Sequence, residues 1–217
     1  MKLYIVRHGE TVWNRHHKVQ GVADIPLAEN GILLAEKTGE ALKNVSFDLC
    51  ITSPLVRARK TAELILAKQA HKVPVKEDIR IREINFGVLE GVVCMNDARE
   101  YLDPQMKKFF TDPWNFDRPK DGESIRDVLA RTKEFWEELI HNPKLQDKTI
   151  LIATHGCCMR ALLRNVYEDK NDFWHGGVPY NCAVSIIEVQ NGVSTLLADN
   201  KIYYDPSDCV NFYKEVK

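Results

Sequence analysis

Two histidines stand where an apolar run stops and a glycine follows. They are His8 in Val6-Arg7-His8-Gly9 and His155 in Thr154-His155-Gly156. Arg7 adjoins the first, Arg57 lies in Ser53-Pro54-Leu55-Val56-Arg57, and Glu83 follows Arg82. These residue types suit a phosphomonoester, which carries nearly two negative charges because its second pKa is about 6. Guanidinium forks at Arg7 and Arg57 could hold such an anion. Gly9 and Gly156 would let the backbone come close, and the turn after the first strand presents N–H groups as helix starts do. Imidazole can attack phosphorus through one ring nitrogen if the other is held as a donor. A backbone carbonyl beside His8 could fix the ring in that way. The departing alkoxide needs a proton, which Glu83 could give, while the arginines and the second histidine could stabilise the transferring group. No one of these short segments identifies a reaction, and a lone histidine at a strand end is more often structural.

For these side chains to meet, strand ends must gather at one edge of a sheet. Lys2–Val6 reads as a short apolar strand, Asp48–Thr52 as a second and Val73–Glu77 as a third. Thr149–Ala153 reads as a buried strand. Val184–Val189 and Val193–Leu197 form an expected hairpin across Asn191-Gly192. Between them, Leu34, Thr38, Ala41 and Leu42 recur at helical spacing after Gly31. Ser53 and Pro54 read as N-cap and first residue of a helix holding Leu64 and Leu66. A helix after Asp121-Gly122 carries Ile125, Val128, Leu129, Thr132 and Leu139. Another follows Gly156 through Met159, Leu162 and Val166. This alternation predicts an α/β fold: three layers, α/β/α, around a mostly parallel sheet with an antiparallel edge. Ligands of such sheets bind at the carboxyl ends of the strands, where His8, Ser53 and His155 all fall. Residues 90–121 break the pattern with Pro104, Pro113 and Pro119 and with Phe109, Phe110, Trp114 and Phe116. They read as a small, partly helical cap inserted in a single domain that spans 1–217.

The bulk numbers narrow the partners. The 217 residues are 44% hydrophobic and 28% charged, and Lys+Arg 30 against Asp+Glu 31 leaves a net charge of -1. That balance excludes no small anion but gives no footprint for nucleic acid. A chain of this length buries roughly 70% of its unfolded surface, so it needs no metal or disulfide staple. The cysteines at 50, 94, 157, 158, 182 and 209 show no C-x-x-C pair and no zinc spacing. Reduced thiols in a cytoplasmic protein are expected. No signal peptide and no transmembrane run is expected either, and Asn44-Val45-Ser46 reads as a chance glycosylation sequon. His16 and His17 read as solvent-facing, and His71 and His141 as helix-end cations. His175, before Gly176-Gly177, reads as a loop residue. Lys107 and Lys108 read as a solvated face, and the cap aromatics as a small packed cluster rather than a stacking platform, either of which could line the pocket.

Read in chain order, the segments together resemble a known family. Arg7-His8-Gly9-Glu10-Thr11 with Trp13-Asn14, then Gln20-Gly21, then Pro26-Leu27 with Asn30-Gly31, are similar to the opening signature of the histidine phosphatase superfamily, the phosphoglycerate-mutase-like proteins. Ala28 stands where that family usually has Ser or Thr. Ser53-Pro54-Leu55-Val56-Arg57-Ala58 with Thr61-Ala62 resembles its second signature. Arg82-Glu83 with Phe86-Gly87 and Glu90-Gly91 resembles its acid/base segment, and Asp121-Gly122-Glu123-Ser124 its helix start after the cap. Thr154-His155-Gly156 resembles its last signature. The resemblance implies catalytic roles for His8, Glu83, Arg7, Arg57 and His155. It implies substrate contacts at Arg7, Asn14, Gln20, Gly21, Arg57, His155 and Gly156. It also implies a phosphohistidine intermediate on His8, no metal and no cofactor. The expected partner is a small phosphorylated substrate of a monomer or homodimer, with no nucleic acid and no membrane. Hydrolysis is the expected outcome, because mutases of this kind usually carry a longer cap and a basic, Tyr-containing segment where this chain has Asn85-Phe86-Gly87. A cofactor-dependent phosphoglycerate mutase is the alternative, and a non-catalytic phosphoester-binding protein a second one.

Overall fold

The structure, a computed structural model, describes residues 1–96, 98 and 100–208. Cys209 lies outside them, as do positions 97 and 99 within the expected cap. One six-stranded sheet has the order β3-β2-β4-β1-β5-β6. Its strands are β1 (Lys2–Arg7), β2 (Leu49–Thr52), β3 (Val75–Glu77), β4 (Thr149–Thr154), β5 (Val184–Gln190) and β6 (Val193–Lys201). The first four are mutually parallel, while β5 runs antiparallel to β1 and to β6. Asn191 and Gly192 turn the β5–β6 hairpin with φ of 52° and 77°, the left-handed pair that an Asn-Gly connection favours.

The helices are α1 (Val12–Arg15), α2 (Glu29–Leu42), α3 (Val56–Leu66), α4 (Pro104–Thr111), α5 (Ile125–Ile140) and α6 (Gly156–Leu163). Strand alternation sorts them into two layers. Leu3, Ile5, Ile150 and Ile152 pack with Phe135, Trp136 and Leu139 of α5 and with Met159 and Leu162 of α6. The opposite faces, Val6, Leu151 and Ala153, pack with Leu42 of α2 and with Ala62 and Ile65 of α3. Ser124 and Asp127 close a capping box on α5, which is how a polar Asp-Gly-Glu-Ser segment starts a long apolar-faced helix.

Several expectations shift at their edges. α3 begins at Val56, not at Ser53-Pro54; the Ser53 hydroxyl meets His155 Nε2 and also accepts from the Leu55 N–H. On α2 the buried face uses Ala35 and Gly39, and Ala41 is exposed. α6 ends before Val166. β3 is shorter than 73–77, since Val73 turns into the α2/α3 core while Val75–Glu77 pair only at the sheet edge. His17 is buried rather than solvent-facing: its φ of 49° turns the chain, and its ring faces the Met95 carbonyl at 3.3 Å. His71 lies beyond α3, with its ring on the Phe47 carbonyl. His141 caps α5 as expected. Tyr204 packs locally, its hydroxyl donating to the Asn181 carbonyl.

Candidate active site

The register of the sheet brings the two histidines together. Arg7 pairs with Thr154, so the residues that follow leave the sheet side by side, and the His8 N–H donates to the Thr154 carbonyl at 2.9 Å. On the other flank of β4, Thr52 pairs with Ala153, and the Ser53 N–H donates to the Ala153 carbonyl. The result is three adjacent strand ends bearing His8, His155 and Ser53. The imidazole centroids lie 5.1 Å apart, and both rings are buried.

The His8 ring is held in one tautomer. Nδ1 lies 2.7 Å from the Gly9 carbonyl oxygen, which can only accept, so Nδ1 carries the proton and the lone pair sits on Nε2. The His8 carbonyl is itself tied by Asn181 Nδ2 at 3.0 Å. Burial, and then the charges of Arg57 and Arg7, hold the His8 pKa well below the usual imidazole value, so the ring is neutral and nucleophilic at pH 7. Gly9 is close-packed for a reason other than ligand approach: a Cβ there would lie 2.5 Å from the carbonyl oxygen of Gly31, at the start of α2. Its N–H donates to Thr61 Oγ1, whose hydroxyl donates to the Arg57 carbonyl, coupling the His8 turn to α3.

Glu83 reaches the same space from a different segment. Its carboxylate takes hydrogen bonds from the backbone N–H groups of Ile84 (2.9 Å), Cys157 (3.1 Å) and Cys158 (3.0 Å). Burial raises its pKa, and those N–H groups and Arg57 oppose the rise. A Cβ placed on Gly156 would lie 3.7 Å from Glu83 Oε2 and 3.6 Å from Arg7 Nε, so carboxyl, guanidinium and the start of α6 share one corner. Arg131 secures the Glu83 segment by donating to the carbonyls of Arg80, Arg82 and Glu83.

Arg57 is wholly buried, and its guanidinium donates to the carbonyls of Ala23 (2.8 Å) and Gly21 (2.6 Å). Burial lowers its pKa to about 10, which still leaves it charged at pH 7. Arg57 Nε, His155 Nδ1 and Gln20 Nε2 are buried with no hydrogen-bond partner among the described residues. Such nitrogens suit an anion with several acceptor oxygens. The loop that Arg57 grips is set by Glu90, whose two oxygens accept from four backbone N–H groups: Gly21, Val22, Ala23 and Phe86. Sequence pattern alone gives Glu90, Asn181 and Thr61 no task. The usable signal was Glu90's place in the Glu83 segment. Asn181 stands in a loop with no pattern around it.

Of the residues expected to touch substrate, Arg7, His8, Asn14, Gln20, Glu83 and Gly156 line one open-mouthed pocket, whose roughly 490 Å3 of free space includes open solvent at the mouth. Gly21 does not line it; its N–H serves Glu90 and its carbonyl serves Arg57. Arg57 and His155 stand behind the lining, next to His8. The far wall of the pocket is apolar and aromatic, with Phe86, Met106, Phe109, Phe110 and Trp174, while Val178 lies at the phosphate end against Gly156. His175 is absent from the lining; its ring stacks on Tyr167 at 3.6 Å. Among the described residues, no three His, Cys, Asp or Glu side chains group as a metal site, and no helix is long and apolar enough to cross a membrane.

A family model described as histidine phosphatase superfamily (branch 1) matches residues 3–201. The chain belongs to this superfamily. Within the histidine phosphatases and their kin, the chain is 35% identical over 164 residues to a 2,3-bisphosphoglycerate-dependent phosphoglycerate mutase of Gloeobacter violaceus, covering 74% of this chain and 73% of that protein. The solved structure of YhfR from Bacillus stearothermophilus superposes with a TM-score of 0.81 at 31% identity, covering 93% of this chain and 97% of the other. The α-ribazole phosphatase of Shigella flexneri superposes with a TM-score of 0.76 at 28% identity, covering 93% and 96%. Members of the superfamily similar to this chain thus include proteins named as mutases and as phosphatases.

Proposed function

We propose that this histidine phosphatase superfamily member is a metal-independent phosphomonoesterase that works through a phosphohistidine on His8. The observation that carries the reading is the locked His8 tautomer in the same pocket as a buried carboxyl whose pKa is raised. In the first step His8 Nε2 bonds to phosphorus as the ester P–O bond breaks, and protonated Glu83 gives its proton to the departing oxygen. Arg7, Arg57 and His155 carry the charge on the equatorial oxygens. With its Nε2 lone pair bonded to phosphorus the ring is cationic, and the proton stays on Nδ1, donated to the Gly9 carbonyl. In the second step water attacks phosphorus, Glu83 takes the water's proton, the P–N bond breaks and orthophosphate leaves with His8 neutral again. Asn14, Gln20 and Gly156 border the path of the substrate.

Rapid acid-free quenching during turnover, followed by peptide mass spectrometry, should find phosphate on His8. Phosphate on a different residue, or on none while phosphate is released, would remove the covalent route. The mutase reading has one observation in its favour, the similarity to a protein named as a bisphosphoglycerate-dependent mutase. It requires the enzyme to hold a second anionic group beyond the phosphoryl site. The far wall supports hydrolysis instead, since Lys18 is the one cationic side chain there among the described lining residues. Release of phosphate and isomerisation of 3-phosphoglycerate measured side by side separate the two. Fast isomerisation with little phosphate would establish the mutase.

A further inference from the structure

The pocket has two chemically different halves, and the far half speaks to the alcohol that a substrate would carry. Phe109 sits at its centre, with ring centroids 5.0 Å from Phe86, Phe110 and Phe116 and 5.1 Å from Trp174. These contacts are edge-to-face, with interplanar angles of 67° to 76°, the geometry that aromatic quadrupoles favour. Trp174 Nε1 donates to the Phe109 carbonyl at 3.0 Å, so the indole fixes the helix that carries the cluster while its polar atom is satisfied within the protein. Met106, buried on the same helix, adds an adaptable thioether to the lining. The rings and Met106 offer no hydrogen bond to a hydroxyl or a carboxylate, and Lys18 is the one cationic side chain beside them among the described lining residues.

We infer, resting on the phosphomonoesterase reading, that the preferred substrates are monoesters of apolar alcohols, aryl or medium-chain alkyl, with the hydrocarbon lying against Phe86, Phe109, Phe110 and Trp174. A glycerate or sugar leaving group would strip its hydroxyls and carboxylate of water against rings that return no hydrogen bond. A hydrocarbon would instead replace water on a surface already ordered for it. The wall is held by mutual ring contacts, so binding orders little protein.

The test uses the full-length protein and a series of n-alkyl phosphates from ethyl to octyl, beside glycerol 1-phosphate and 3-phosphoglycerate. The alcohols of the alkyl series share one leaving-group basicity, so chain length alone varies. The expected result is a rise in kcat/KM of up to about fourfold per methylene until the pocket is filled. Phe110→Ala should flatten that slope and Phe110→Leu should largely restore it. The matching n-alkylphosphonates, which cannot be hydrolysed, provide a binding series by calorimetry that does not depend on turnover. Affinity that is flat or falls with chain length, or glycerol 1-phosphate and 3-phosphoglycerate preferred over octyl phosphate, would overturn the inference. Phosphate release with a flat series would sink only the choice of alcohol. Binding that strengthens with chain length without phosphate release from any ester would sink the hydrolytic reading and keep the apolar site.

Discussion

The two halves of the pocket are built in different ways. At the phosphate end each side chain is placed by backbone: β1, β2 and β4 end at one level, and carbonyls or N–H groups then clamp His8, Arg57 and Glu83. At the far end the parts are Phe86, Phe109, Phe116 and Trp174, and rings hold rings. A register-built site has little freedom, because moving a strand by one residue turns every side chain to the other face. A ring cluster accepts exchanges of similar volume at modest cost. Chemistry therefore belongs to the half that cannot vary, and choice of alcohol to the half that can.

This division can be broken by substitution. His8→Ala has the largest expected effect, a loss of roughly 10^4-fold or more in kcat with an unchanged circular dichroism spectrum. Retained turnover would place the nucleophile elsewhere. Glu83→Gln should cost about 10^2- to 10^4-fold for alkyl phosphates and much less for an activated aryl phosphate, whose leaving group needs no proton. The same variant has a pH signature. Rate falls on the acid side as His8, with its depressed pKa, becomes protonated. It falls on the alkaline side as Glu83, with its raised pKa, loses its proton. The alkaline limb should vanish in Glu83→Gln, and its persistence would assign the acid to a different group. Next comes Glu90→Gln. Either orientation of the amide would set an NH2 group against two backbone N–H donors, release the Gly21–Ala23 loop and loosen Arg57. We expect about a 10- to 100-fold fall in kcat with weaker binding of inorganic phosphate and an unchanged ratio between octyl and ethyl phosphate. A change in that ratio would show that the halves are not separable. Ser53→Ala removes the 2.7 Å contact to His155 Nε2 and should cost only about fivefold, the worth of one neutral hydrogen bond. The smallest effect expected is from a chelator, which should leave the rate unchanged, while a loss restored by a divalent ion would bring a metal into the mechanism.

Much of the register-built half was legible in the sequence. Apolar runs that stop at Arg-His-Gly or Thr-His-Gly announce strand ends, and the carboxyl-edge rule for α/β sheets then groups them. What was lost there was the use of short polar residues. Ser53 before Pro54 has the form of a helix cap, yet its hydroxyl is drawn to His155, a partner 102 residues away that no local pattern encodes. His17 looked solvated beside His16 because a left-handed turn that buries one of two adjacent histidines leaves no periodic trace. In the far half, composition alone announced a packed aromatic cluster. Which of those rings form the pocket wall follows from how Trp174 packs on Phe109 of α4, a contact between distant segments that side-chain spacing does not carry.

The strand order has a consequence for synthesis. β4 lies between β1 and β2, and β5 covers the other side of β1. A polypeptide growing from its N-terminus has made His8, Ser53, Arg57 and Glu83 long before the strand that must separate β1 from β2 exists. Until residues 149–154 have left the ribosome, β1 lacks both neighbouring strands and its backbone N–H and C=O groups have no ladder partners. The growing chain is therefore chemically silent, and a candidate for chaperone contact, through most of its translation.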